Sequence, residues 1–338
     1  MKHLLLAVFS LVIMVNGFAQ TEPTSKEAAR SFMRNGDWDN AILVLNRALQ
    51  VEPTDIDLQK DLVMAYYYKK DYTKALEKVQ PLLNRDDVDV MTFQLGGNVY
   101  KALEEVKEAD KMYKKALKKF PKSGSLFSEY GELLWASKDV SAIKQWEKGI
   151  ELDPNYAGNY YNAALYYYYT RDKIWSLIYG EIFVNMEYLT ERATEMKKLL
   201  LSAYKEKLFL DLSDGKKDKK DKSENAFTTT VLQTFNKQGS VINRGINIET
   251  LNMLRTRFIL DWYANNAKKF PYRLFDYHQQ LIKEGMFEAY NQWLFGTVEN
   301  LPAFDQWTKN NAATYTKFTD FQKGRIFKMP VGQYYGEM

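Results

Sequence analysis

Imidazole and thiolate chemistry have very little to work with in this chain, which holds two histidines, His3 and His278, and no cysteine. The missing cysteine removes thiolate nucleophiles, disulfides and Cys-ligated zinc or iron–sulfur sites. His278 stands in Phe275-Asp276-Tyr277-His278-Gln279 with no second histidine one helical turn away, which does not supply a His-ligated metal or a Ser-His-Asp triad. The chain also has no Gly-x-Ser-x-Gly elbow, Walker A loop or dinucleotide fingerprint. Paired carboxylates remain, Asp86 with Asp87 and Glu104 with Glu105. A fold that brings two carboxylates together can run glycoside hydrolysis, but pairs at helix boundaries are by default solvated charges. The expectation is a non-enzymatic protein with no metal and no cofactor.

The composition is that of a folded chain: 46% of its 338 residues are hydrophobic and 27% charged. A formal net charge of +4 gives little reason to expect a nucleic-acid partner. At roughly 150 residues per domain the length allows about two domains. Residues 1–19 read as a secretory signal peptide: a basic start at Met1-Lys2-His3, an apolar run from Leu4 to Val15, and small residues at −3 and −1 of a cut after Ala19. That run spans about 18 Å as a helix, short of the roughly 30 Å of a bilayer core. No cysteine follows it to take a lipid, and no later run is long enough to cross a membrane. The expected location is therefore the periplasm or otherwise outside the cell, in soluble form after cleavage.

What positions the remaining side chains is a repeat. Ala41, Ala75 and Ala109 lie 34 residues apart and Ala142 follows after 33; Pro53, Asp87, Pro121 and Pro154 keep those spacings. Trp38, Tyr72, Val106 and Val140 run at 34 throughout, which places the one missing residue between Val140 and Ala142. Further columns are Leu45, Val79, Tyr113, Trp146 and Val63, Gly97, Gly131. A period in this range signals stacked supersecondary units. Small residues such as Gly97 and Ala109 suit a close helix crossing, large ones such as Tyr100, Tyr113 and Trp146 suit the space between hairpins, and Pro121 and Pro154 stop helices.

These residues resemble the tetratricopeptide repeat (TPR) family. Residues 90–123 fit best, through Gly97, Tyr100, Ala109, Tyr113, Ala116 and Pro121. The resemblance covers 22 to about 188 as four repeats and a degenerate fifth, in which Gly180 takes the large-apolar position and Tyr188 the proline position, a departure that leaves open how its second helix packs. With a closing helix at 190–210, the solenoid spans 22–210. Residues 213–226, rich in lysine and aspartate with no apolar residue before Ala226, read as a charged flexible linker. Beyond it, 227–338 reads as a helical C-terminal module: a helix over 248–264, one opened by Pro271 that carries Leu274, Tyr277, Leu281, Met286 and Tyr290 on one face, one opened by Pro302, and an irregular tail from Lys328. The whole is similar to exported TPR proteins of Gram-negative bacteria.

The resemblance implies an all-α TPR helical-hairpin solenoid whose first helices line a groove that docks a peptide or protein. Its geometry points Lys60, Tyr67, Asn98, Lys101, Trp135 and Tyr168 into that groove. Lys60, Asn98 and Lys101 suit a carboxylate or a peptide carbonyl, although Met64 one turn after Lys60 departs from the family's carboxylate clamp. Tyr67, Trp135 and Tyr168 offer flat apolar surfaces for side chains or, on the alternative reading of a glycan-binding envelope protein, for sugar rings.

Overall fold

The computed structural model describes residues 25–170, 173–207, 226–243 and 245–338. The signal-peptide reading of 1–19 and the linker reading of 213–225 lie outside the described residues; Ala226 opens a helix. The chain forms two compact units, residues 1–85 and 86–338. The first holds α1 (Ser25–Arg34), α2 (Trp38–Val51), α3 (Ile56–Tyr68) and α4 (Tyr72–Leu83). The second begins with α5 (Val90–Ala102), α6 (Val106–Lys119), α7 (Gly124–Ala136), α8 (Ala142–Leu152), α9 (Ala157–Tyr169), α10 (Lys173–Met186) and α11 (Glu191–Ser202). It continues with α12 (Ala226–Lys237), α13 (Ile248–Asn265), α14 (Arg273–Lys283), α15 (Phe287–Asn291), α16 (Thr297–Glu299), α17 (Leu301–Asn310) and α18 (Ala312–Lys323).

The 34-residue period is written into the backbone of the hairpin turns. Gly36, Lys70, Glu104 and Lys138 take positive φ values of 72°, 65°, 57° and 61°. One residue on, Asp37, Asp71, Glu105 and Asp139 each return a backbone N–H to the carbonyl five residues back at 2.9 Å. This is the left-handed helix ending that satisfies carbonyls of the last turn. The same residues then start or precede the second helix: Asp37 and Asp71 cap it by accepting from the N–H of Asn40 and Lys74. The missing residue of the fourth repeat falls in this first turn, so Val140 lies in the turn and α8 starts at Ala142. Second helices stop before Pro53, Pro121 and Pro154, as expected from the sequence.

The small column does sit at the hairpin crossings, but the large column fills those crossings too. A Cβ on Gly97 would lie 2.0 Å from the Tyr113 hydroxyl, and one on Gly131 2.2 Å from Trp146 Nε1. Each aromatic of the second helix thus lies on the glycine of the first. Tyr113 also reaches the next hairpin, stacking on Tyr130 at 5.8 Å between centroids.

The second helix of the degenerate fifth repeat, whose packing the sequence left open, is α10, and it is buried at every residue from Ile174 to Asn185. Glycine replaces the large residue at 180 because α11 comes close: an added Cβ would sit 2.8 Å from Met196 Sδ and 2.9 Å from Leu200 Cδ2. Helix α11 occupies the place of the first helix of a sixth repeat, since Tyr161 donates to Glu195 Oε2 (3.2 Å) and Tyr168 meets Ser202 Oγ (2.8 Å), both 34 residues away.

The C-terminal helices complete α10's enclosure. One continuous apolar cluster runs from Ala142 to Met329. Trp175 Nε1 donates to Thr228 Oγ1 (2.8 Å), and Lys197 Nζ to the Trp293 carbonyl (2.9 Å). Two expected helices are broken in two. Gly285, at φ 70°, ends α14 and separates Leu274, Tyr277 and Leu281 from Met286 and Tyr290. Asn311 separates α17 from α18. The tail is irregular as expected yet pinned: the N–H of Tyr335 donates to the Tyr179 hydroxyl (2.8 Å) and its ring stacks on Tyr167.

Two substitutions test this turn and crossing chemistry by thermal melting. Glu104→Gly relieves a side chain held in the left-handed region and is expected to stabilise by about 1 kcal/mol; a loss would contradict the turn's role. Gly131→Ala forces Trp146 off its hydrogen bond to the Ser128 carbonyl. It is expected to cost about 1–3 kcal/mol despite alanine's better helix propensity.

Candidate functional site

Within each unit the first helices of neighbouring repeats lie side by side, and polar side chains bridge them at roughly the repeat spacing. In the first unit Lys26 on α1 meets Asp57 on α3 at 2.8 Å, and Arg30 Nε donates to Asp61 at 2.8 Å. Lys60 is buried and lies 3.3 Å from Asp57. Hydrogen bonds from Lys26 and Lys60 hold the Asp57 carboxyl below its ordinary pKa. Tyr67 is half-buried against the edges of Tyr68 and Tyr72, with centroids at 5.4 and 5.6 Å.

In the second unit the row is α5, α7, α9 and α11. Gln94 Nε2 and the Tyr113 hydroxyl donate to the two oxygens of Glu129 at 2.6 and 3.0 Å. Burial still raises the pKa of that carboxyl, with the two donors and Lys101 opposing. Glu132 accepts from Asn162 Nδ2 at 3.0 Å and faces Lys101 at the looser distance of 3.8 Å. Asn98 is half-buried and has no side-chain hydrogen-bond partner among the described residues. Trp135 is 44% exposed, its inner edge against Tyr166 (5.4 Å) and Trp146 (6.3 Å). Tyr168 spends its hydroxyl on Ser202 of α11.

Of the six residues singled out in the sequence, Asn98, Lys101, Trp135 and Tyr168 therefore share the first-helix row of the second unit, and Lys60 and Tyr67 belong to the first. The carboxylates that tie neighbouring first helices together were missed: Asp57, which meets Lys26 and Lys60, Asp61, which meets Arg30, and Glu129, which accepts from Gln94 and Tyr113. Each stands within three residues of a groove column, so pairing charges at a spacing of 31 residues would have found Asp57 and Asp61, whereas Glu129 is met by a neutral amide and a hydroxyl.

His278 is buried, and its surroundings decide what it can do. Glu181 Oε1 on α10 accepts from His278 Nε2 (2.8 Å), from the Tyr290 hydroxyl (2.7 Å) and from the Arg255 guanidinium. Arg255 also donates to Asn291, and Asn185 Nδ2 donates to the Tyr290 hydroxyl (2.8 Å). Burial alone would raise the Glu181 pKa, but Arg255, His278 and Tyr290 outweigh it and hold it at about 2. Burial lowers the pKa of His278, with Glu181 opposing and Arg255 reinforcing. The adjoining cavity measures about 20 Å³, room for about one water and for no substrate. The cluster holds helices together. Among the described residues no group of three or more His, Asp or Glu is arranged to hold a metal.

Both groups bind fewer protons folded than unfolded. Glu181 contributes stability that is fully present above its unfolded value of about 4.3 and lost as pH falls toward 2; His278 adds a loss beginning below about 6.5. Glu181→Gln leaves Arg255 facing no carboxylate and is expected to cost about 3–5 kcal/mol at neutral pH. Its melting temperature should also fall less steeply than the wild type's below about pH 4.3; parallel curves would contradict the assignment.

No protein-family model matches the sequence, and no curated protein matches it. Among solved structures the chain is similar to TTC0263, a thermophilic TPR protein of Thermus thermophilus, at 16% identity over 52% of this chain and 97% of that one, with a TM-score of 0.44. It is similar to a tetratricopeptide repeat protein from Parabacteroides merdae at 14% identity over 75% and 94%, TM-score 0.42. YrrB, a TPR protein with an unusual peptide-binding site, shares 20% identity over 50% and 88%, TM-score 0.37. The period, the left-handed turns and the glycine–aromatic crossings are this chain's own. By those features it is a tetratricopeptide-type helical-hairpin solenoid followed by a helical C-terminal module, all-α throughout its described residues.

Proposed function

We propose that this protein is an exported, non-enzymatic scaffold that docks a peptide or protein partner on the first-helix face of its repeats, in assembly or maintenance of the cell envelope. Export follows from the reading of residues 1–19, with the periplasm or the exterior as its location. The non-enzymatic reading is supported by His278, the one histidine among the described residues, being sealed among helices.

The observation that supports docking best is the set Asn98, Lys101 and Trp135. An unpartnered asparagine amide offers a peptide group both a donor and an acceptor. Lys101, at 3.8 Å from Glu132, gives up little to meet a partner's carbonyl or carboxylate. Trp135 presents a large apolar surface whose inner edge is already fixed by Tyr166 and Trp146, so little rotamer entropy remains to be lost on binding.

Photo-crosslinking in the native envelope tests this. A photoreactive residue at 98 or 135 is expected to capture a polypeptide, and one at Lys114, exposed on α6, to capture none. Asn98→Ala and Trp135→Ala should each weaken the captured partner's binding about tenfold. Equal capture at 114, or capture of a glycan alone, would overturn the reading.

A further inference from the structure

A second site stands apart from the repeat face. A cavity of about 160 Å³ is lined by Asn185 at the end of α10, by Tyr188 just after it, and by residues of α14, of the end of α18 and of the segment that follows it. Arg273 and Arg325 line it, and no acidic residue does. Neither guanidinium has a carboxylate partner among the described residues. Arg325 donates to the neutral Gln280 Oε1 (3.1 Å) and lies over the Phe321 ring, 4.1 Å from its centroid. Arg273 lies over Phe327 at 5.3 Å. Gln322 Nε2, on the same lining, is buried with no hydrogen-bond partner among the described residues. Tyr277 completes the wall; burial pushes its hydroxyl pKa up while the two guanidiniums oppose the rise.

Among the buried cations elsewhere, Arg255 has Glu181, Lys60 has Asp57, and Lys197 is met by the Trp293 carbonyl and ring. Two permanently charged guanidiniums round one cavity, with an orphaned amide donor between helices and no acid, have the donors for an oxyanion and lack the acceptor. Guanidinium forks match a planar carboxylate, and the walls beside them are the rings of Tyr277, Phe321 and Phe327. The volume is below the roughly 300–1,000 Å³ of pockets for drug-sized ligands, so the ligand is small.

We propose that this cavity binds a carboxylate carried on a flat apolar group, through Arg273, Arg325 and Gln322, with the ring seated against Tyr277, Phe321 and Phe327. The carboxylate comes either from a free small acid or from the last residue of a polypeptide.

Calorimetric titration of the full chain with phenylacetate, N-acetylphenylalanine, N-acetylphenylalanine amide and inorganic phosphate tests it. Saturable binding of phenylacetate is expected, and the amide should bind at least about tenfold more weakly than its parent acid. Arg325→Gln, at an exposed position that leaves folding intact, and Arg273→Gln should each weaken binding by a similar factor, and Trp135→Ala should leave it unchanged. If N-acetylphenylalanine binds as well as phenylacetate the source is a chain end; if only phenylacetate binds, it is a free acid. The proposal is overturned if neither acid binds up to roughly 10 mM, if the amide or phosphate binds as tightly as the acids, or if both arginine variants bind as the wild type does.

Discussion

The second unit depends on one charge. Glu181 is a carboxylate in the middle of α10, a helix whose other buried residues are mostly apolar. Ionised and alone in that setting it would cost several kcal/mol. The groups that meet its carboxylate come from the C-terminal helices: Arg255 on α13, His278 on α14 and Tyr290 on α15. The need runs both ways, because Arg255 is itself buried and ringed by Tyr204, Phe287, Tyr290 and Phe295, with no other carboxylate paired to it among the described residues. Apolar packing along α10 would tolerate small slips of α13 and α14; three hydrogen bonds to one oxygen do not. The cluster therefore sets which way the C-terminal helices sit on the fifth repeat, and through α14 it sets where Arg273 and Tyr277 stand.

This also explains why the fifth repeat departs from the pattern of the others. A second helix in a hairpin stack ordinarily keeps one side toward solvent, as α6 does with its exposed lysines. Helix α10 has α9, α11 and the C-terminal helices around it, so it is apolar on all sides. Its glycine makes room for Met196 and Leu200 of α11 where the other repeats carry a bulky residue.

Local chemistry was legible in the sequence and distant pairing was not. The period, the helix-stopping prolines and the small column each depend on neighbours fewer than 35 residues away, and the hairpins appear where those signals put them. The breaks at Gly285 and Asn311 were hidden because apolar spacing carried on across both, so one amphipathic face was read where two helices share it. Glu181 with Arg255, 74 residues apart, and Arg273 with Arg325, 52 apart, leave no periodic trace; only the fold brings them together. Among the binding candidates, the sequence separated the repeat face from the rest but not open side chains from spent ones. Tyr168 and Trp135 occupy the same column, yet the hydroxyl of one is taken by Ser202 and the ring of the other is 44% exposed. Most of the chain's aromatics pair with one another in the core, which leaves Trp135 and few others free to meet a partner.

Helix α10 and the C-terminal helices thus form one cooperative body, locked at Glu181. Native-state hydrogen exchange followed by mass spectrometry reads this directly. Peptides covering α10, α13 and α14 are expected to exchange at one common rate, set by a single opening, and to lose protection together in Glu181→Gln. If α13 and α14 instead open at markedly lower free energy while α10 stays protected, the C-terminal helices are an independently unfolding appendage and the lock at Glu181 does not exist.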